Sequence, residues 1–138
     1  MPRLEDVRVG DPLPGQQRET SVVQQFLYNA VLWNAHRIHY DEAWATEVEG
    51  YPGLLVAGPL MGDWLAQCAL AWLDGGGRLV SVEYSNRRAA YIGERLHVGG
   101  RISGLDRATG RVPLELAVSN AEGETVVPGI ATVELEGP

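Results

Sequence analysis

Between Trp33 and Leu60 the chain gathers most of the side chains able to move a proton or hold a polar ligand. These are Asn34, His36, His39, Asp41 and Glu42, followed by the run Gly58-Pro59-Leu60. An imidazole titrates near pH 6.5, so His36 and His39 can each exchange a proton around neutrality. N–H groups at the start of a helix carry the positive end of its dipole, which suits a negative charge developing on a substrate oxygen. Gly58 and Leu60 have such groups and Pro59 does not; Gly58 also lets a ligand approach the backbone closely. His36 and His39, with Asp41 and Glu42 nearby, superficially suggest metal ligands. Their segment reads as a loop without a third partner at ligand spacing, so no metal is expected. No Gly-x-Ser-x-Gly elbow, P-loop or dinucleotide fingerprint occurs. Cys68 falls on an apolar helix face and reads as core.

The elements that must position these residues come in two styles. Thr20 or Ser21 can cap a first helix reaching about Trp33, with Val23, Phe26, Leu27 and Ala30 on one face. Residues 34–40 are polar, lack a period and read as a loop. Asp41 can cap a short helix ending near Val48, before Gly50, Pro52 and Gly53 break it. Pro59 suits the first turn of a longer helix, striped by Leu60, Trp64, Cys68, Ala71 and Trp72 and ended by Gly75-Gly76-Gly77. Beyond residue 78 the period changes to two. Val80, Val82 and Tyr84 alternate with polar residues, and Val112, Leu114, Leu116 and Val118 do the same, as do Ala131, Val133 and Leu135. Leu96, Val98 and Ile102 mark another strand, in which Gly99-Gly100 suggests a bulge or bend. Helices first and an antiparallel meander afterwards make an α+β class, with a sheet wrapped around one long central helix.

Composition narrows the function classes. At 138 residues the chain reads as a single domain, 1–138, large enough to bury its own core. A net charge of −7 speaks against nucleic acid, and a phosphate-bearing ligand would need a local basic patch. The apolar stretch 54–73 is interrupted by Pro59, Gly62, Asp63 and Gln67 and reads as a buried helix, not a membrane span. The first residues lack an apolar secretory core, and Cys68 is the single cysteine; a cytoplasmic setting is expected.

Three runs carry a family likeness: Asn34-Ala35-His36-Arg37-Ile38-His39-Tyr40-Asp41, Glu49-Gly50-Tyr51-Pro52-Gly53-Leu54 and Gly58-Pro59-Leu60. Together they resemble the MaoC-like (R-specific) hydratases and hydroxyacyl-thioester dehydratases of type 2. Val9-Gly10-Asp11 and the run from Arg88 to Glu94 extend the likeness more weakly. The resemblance implies a hot-dog fold, usually dimeric, acting on acyl-CoA or acyl-carrier-protein thioesters with no metal or redox cofactor. It implies reversible addition of water across an α,β-double bond. His39 takes the place of the family's His as acid and base; Gly58, at the helix start, is expected to supply an oxyanion donor. The family's usual Asp, five residues earlier, is Asn34 here; an amide can orient water but cannot accept a proton at neutral pH. Its usual His-Gly before the central helix is Ala57-Gly58. His36, Trp33 and Leu60 are candidates for the substrate pocket, and Arg87 and Arg88 for CoA phosphates, although each arginine alone also reads as solvated surface. The leading expectation is a hydratase/dehydratase of enoyl and 3-hydroxyacyl thioesters, as a homodimer or hot-dog heteromer. The alternatives are a non-catalytic acyl-thioester-binding subunit, which Asn34 and Ala57 favour, and a thioesterase on the same fold.

Overall fold

The computed structural model describes residues 1–137. In chain order it has β1 (Gln16–Arg18), α1 (Val22–Val31), α2 (Gly58–Leu73), β2 (Gly77–Tyr84), β3 (Leu96–Ile102), β4 (Arg111–Ser119) and β5 (Thr125–Leu135). Between the helices lie a 3₁₀ turn, Arg37–His39, and a π turn, Trp44–Val48. The five strands form one antiparallel sheet in the order β1-β3-β4-β5-β2, and α2 packs on its inner face. This is the expected α+β arrangement.

The core follows from matching two periods. Leu60, Met61, Trp64, Leu65, Cys68, Ala69 and Leu73 of α2 meet alternate residues of the strands, such as Val98, Leu114, Leu116, Val118, Ala131 and Val133. Ala71, expected in the α2 stripe, is exposed. Helix α2 starts without a side-chain cap, with Pro59 in its first turn, and ends where Asp74 turns left-handed (φ 45°). The two glycines of β3 do not make a bulge: they pair in regular register with Ala117 and Leu116. Their service is close approach, since a Cβ at Gly100 would strike the Glu115 carbonyl. The irregular registers lie instead at Leu79/Ser81 and Val118/Ser119. Among the described residues, no helix is long and apolar enough to cross a membrane.

A smaller apolar cluster of Ile38, Ala45, Leu54 and Leu55, flanked by Trp44, Tyr51 and Tyr91, anchors the polar loop to this body. Backbone bonds complete the attachment: Leu55 N–H to Ile38 O (3.0 Å), Val56 N–H to Ala90 O (2.8 Å) and Ile92 N–H to Leu54 O (3.0 Å).

Candidate active site

Helix α1 departs from its hydrophobic pattern. Ser21 caps it as expected, its Oγ accepting from Gln24 N–H at 3.1 Å. The face carrying Val23, Phe26, Leu27 and Ala30 is nevertheless exposed, and Gln25 and Asn29 are the buried residues. The cause is local: Gln25 meets two backbone groups of the irregular stretch before α2. Its Nε2 donates to Leu55 O at 2.7 Å and its Oε1 accepts from Ala57 N–H at 3.2 Å. An unpaired buried backbone group costs about 1–3 kcal/mol, so an amide that satisfies two of them can outweigh an apolar face.

The same Leu55 carbonyl takes a second bond, from His39 Nδ1 at 2.8 Å. A carbonyl only accepts, so Nδ1 carries the proton and Nε2 keeps its lone pair. Burial pushes the His39 pKa below the ordinary imidazole value; the bond to Leu55 opposes this and the nearby His36 adds to it. His39 is thus held as a neutral base. It borders a cleft of about 320 Å³ with Tyr51, Leu55, Gly58, Met61, Asn86, Arg87 and Arg88.

The structure therefore brings together His39, Gly58, Arg87 and Arg88, and it places the other expected residues elsewhere. Asn34, expected to position water, accepts from His36 N–H at 3.1 Å and braces the loop. It lines a second cleft with Phe26, Asn29, Trp33 and Tyr40, which shares no residue with the His39 cleft. Trp33, expected to shape an acyl pocket, is 94% exposed, because its left-handed backbone (φ 56°) turns it off the end of α1. Leu60, expected at the substrate, is buried in the core, and its N–H is spent on Ala57 O at 3.1 Å. His36 stands edge-on to His39, ring centroids 5.7 Å apart, and its Nε2 lies 3.5 Å from Glu49. It tunes its neighbour from outside the cleft. Asp41 is the expected cap: it accepts from Trp44 N–H (3.1 Å) and pairs with Arg37 (2.7 Å), and these contacts hold its carboxyl below the usual range.

Two participants in the site, Gln25 and Asn86, and the buried Asn29 carried little signal in the sequence. Gln25 and Asn29 are spaced one helical turn apart, a faint sign of a polar inner face. Asn86 had no signal beyond its two arginine neighbours. The larger hollow of about 620 Å³ on the sheet, around Gly99, Ala117 and Ile130, lacks both His39 and a helix start.

Known proteins fit this geometry. The family profile described as hydroxyacyl-thioester dehydratase type 2 matches residues 11–92, more than half of the chain. The chain belongs to this family. Mesaconyl-C(4)-CoA hydratase of Chloroflexus aurantiacus is 52% identical over 44 residues, which are 32% of this chain and 16% of that protein. The hydroxyacyl-thioester dehydratase type 2 of Schizosaccharomyces pombe mitochondria is 44% identical over 39 residues, 28% of this chain and 13% of that protein. The matched stretches thus amount to less than a fifth of those relatives' lengths. Among solved structures, the (R)-hydratase from A. caviae superposes with a TM-score of 0.87 at 16% identity, covering 96% of this chain and 99% of that one. A chain of the ChsH1-ChsH2 complex from Mycobacterium tuberculosis gives 0.82 at 12% identity, covering 94% and 98%. The dehydratase family member is a hot-dog fold of the MaoC-like type.

Proposed function

We propose that the His39 cleft adds water to the α,β-double bond of an acyl thioester and removes it again, a carbon–oxygen lyase reaction. The observation that carries this reading is the His39 Nδ1–Leu55 O bond, because it leaves Nε2 free as a base beside Gly58. In hydration, Nε2 takes one proton from water while the water oxygen bonds to the β-carbon. The electron pair of the double bond moves through the α-carbon onto the thioester oxygen. The Gly58 N–H donates to that oxygen as its charge grows. The imidazolium then returns its proton to the α-carbon, the carbonyl reforms, and the product is the 3-hydroxyacyl thioester. Atoms balance with water alone, so the proposal needs no cofactor beyond the thioester carrier. Acid–base help of this kind contributes roughly 100- to 10,000-fold.

The carrier is read as CoA or an acyl-carrier protein. Arg87 supports a phosphate-bearing carrier: at the cleft, its Nε is bonded to Ser85 Oγ (3.1 Å) and no carboxylate pairs with it among the described residues. Arg88 is partly committed, lying 3.0 Å from Glu124. Assembly as a homodimer or hot-dog heteromer belongs to the same proposal. Two features support it. Val23, Phe26, Leu27, Val31 and Trp33 leave an apolar surface on and beside α1 that burial would stabilise, and β2 ends the sheet with one side unpaired. A cytoplasmic setting belongs to the same proposal; the free, buried thiol of Cys68 suits a reducing compartment. Asn34 at the family's Asp position and Ala57 at its His position favour the second reading, a non-catalytic acyl-thioester-binding subunit.

Hydration of a panel of enoyl-CoAs (crotonyl, longer-chain and branched dicarboxylic), followed by loss of the enoyl-thioester ultraviolet band, tests the choice. Turnover by wild type that falls at least 100-fold in His39→Ala is the expected result. Well-folded wild type that hydrates none of them would leave the binding-subunit reading in possession.

A further inference from the structure

An enolate oxygen is stabilised best by more than one donor, and the start of α2 has few to give. A helix ordinarily begins with four N–H groups lacking intrahelical partners. Here Pro59 has no N–H, while Leu60 and Met61 both donate to Ala57 O, at 3.1 and 3.3 Å. The preceding Ala57 N–H is held by Gln25 Oε1 at 3.2 Å. Gly58 N–H is the one left without a partner among the described residues.

Directly against Gly58 lies the side-chain amide of Asn86. A Cβ on Gly58 would fall 2.8 Å from Asn86 Cγ and 2.9 Å from its Oδ1, inside van der Waals contact. Glycine at 58 is therefore a matter of room for this amide. The backbone around Asn86 is fixed to β5 by Ser85 N–H to Pro128 O (3.2 Å) and Arg87 N–H to Val126 O (3.0 Å). Its side-chain amide makes no hydrogen bond among the described residues, and it lines the cleft together with His39 and Gly58. An amide that lines the cleft on a fixed backbone and is unspent can donate to a ligand there.

We propose that Asn86 contacts the substrate, its Nδ2–H donating to the thioester carbonyl oxygen so that Asn86 and the Gly58 N–H form the oxyanion hole together. The inference rests on the hydratase reading of the cleft. It assigns the work to a residue from the segment after β2, packed directly against the helix start. His39 then handles protons on one side while the amide and Gly58 hold the growing charge on the other.

Asn86→Ala and Asn86→Asp test it. Asp keeps the shape, removes the donor and places a negative charge where the enolate forms. Loss of one oxyanion donor costs about 100- to 1,000-fold in kcat. The expected result is a loss of that size in both variants, with KM changed far less than kcat and an unaltered melting temperature. Isotope-edited infrared spectra of bound butyryl-CoA supply a readout that a merely structural role would not move: the thioester carbonyl stretch rises towards its solution value in Asn86→Ala. Wild type that hydrates enoyl-CoA while Asn86→Ala keeps its kcat within threefold overturns this inference and leaves the hydratase reading standing. Wild type that hydrates nothing overturns both.

Discussion

The two helices of this protein obey opposite rules. Helix α2 buries its apolar stripe, with Leu65 and Ala69 fully covered, whereas α1 buries Gln25 and Asn29 and leaves Phe26 and Leu27 in solvent. The difference lies in what each helix meets. Helix α2 faces a sheet whose backbone groups are already paired within the strands, so apolar area decides the packing, at about 25 cal/mol per Å². Helix α1 faces the irregular stretch from Leu55 to Ala57, where a carbonyl and an N–H need partners, so hydrogen-bonding demand decides. Such a polar inner face is also what a histidine base requires, because the carbonyl that satisfies Gln25 sets the His39 tautomer.

Cutting the core tests the apolar side of this contrast. Leu65→Ala removes a fully buried side chain and is expected to cost about 2–5 kcal/mol of stability. A urea midpoint little different from wild type would mean that α2 is not the main source of stability. On the α1 side, Gln25→Leu keeps the volume but strands Ala57 N–H and leaves Leu55 O to His39 Nδ1 alone, and an expected loss of about 1–3 kcal/mol should come with reduced turnover. Asn29→Leu makes the sharper comparison. Neither amide atom of Asn29 has a partner among the described residues, so its replacement should be neutral or stabilising in the same urea titration. Equal losses for Gln25→Leu and Asn29→Leu would show that the buried amides act by shape rather than by hydrogen bonding.

Acid pH separates the two regions without mutation. The His39 pKa is lowered in the folded state, so the unfolded chain takes up the proton first as pH falls below about 6.5. The stability held above that value is lost progressively until the pH passes the folded pKa. His39→Gln, which can still donate to Leu55 O, should lack this component of the slope. Under the proposed mechanism neutral Nε2 is the active form, so the acid limb of kcat/KM should likewise lie below the ordinary imidazole value. A limb above pH 6.5 would point to another base. The smallest effect is expected at Trp33→Ser: little change in stability at low protein concentration, within about 0.5 kcal/mol, but weaker self-association by sedimentation.

Much of the architecture was legible in advance because period and burial coincide there. Val112, Leu114, Leu116 and Val118 alternate and are all buried in β4, and Leu60, Trp64 and Cys68 recur at helical spacing and are all covered. His39 and Gly58, singled out from the motif, border one cleft, and Arg87 and Arg88, singled out for their charge, border it too. Asn34, Trp33 and Leu60 were misplaced for one reason. Closeness in sequence to a motif does not say towards which side of a loop or helix a side chain turns.

By itself the sequence determined the α+β class, the strand faces, the central helix and the family, because periodicity and a contiguous motif are properties of neighbouring residues. Only the tertiary structure decided which face of α1 is buried, which nitrogen of His39 is free and that Asn86 reaches Gly58. Each of these depends on hydrogen-bonding groups and side chains brought together from tens of residues apart in the chain, and no local pattern records such a meeting.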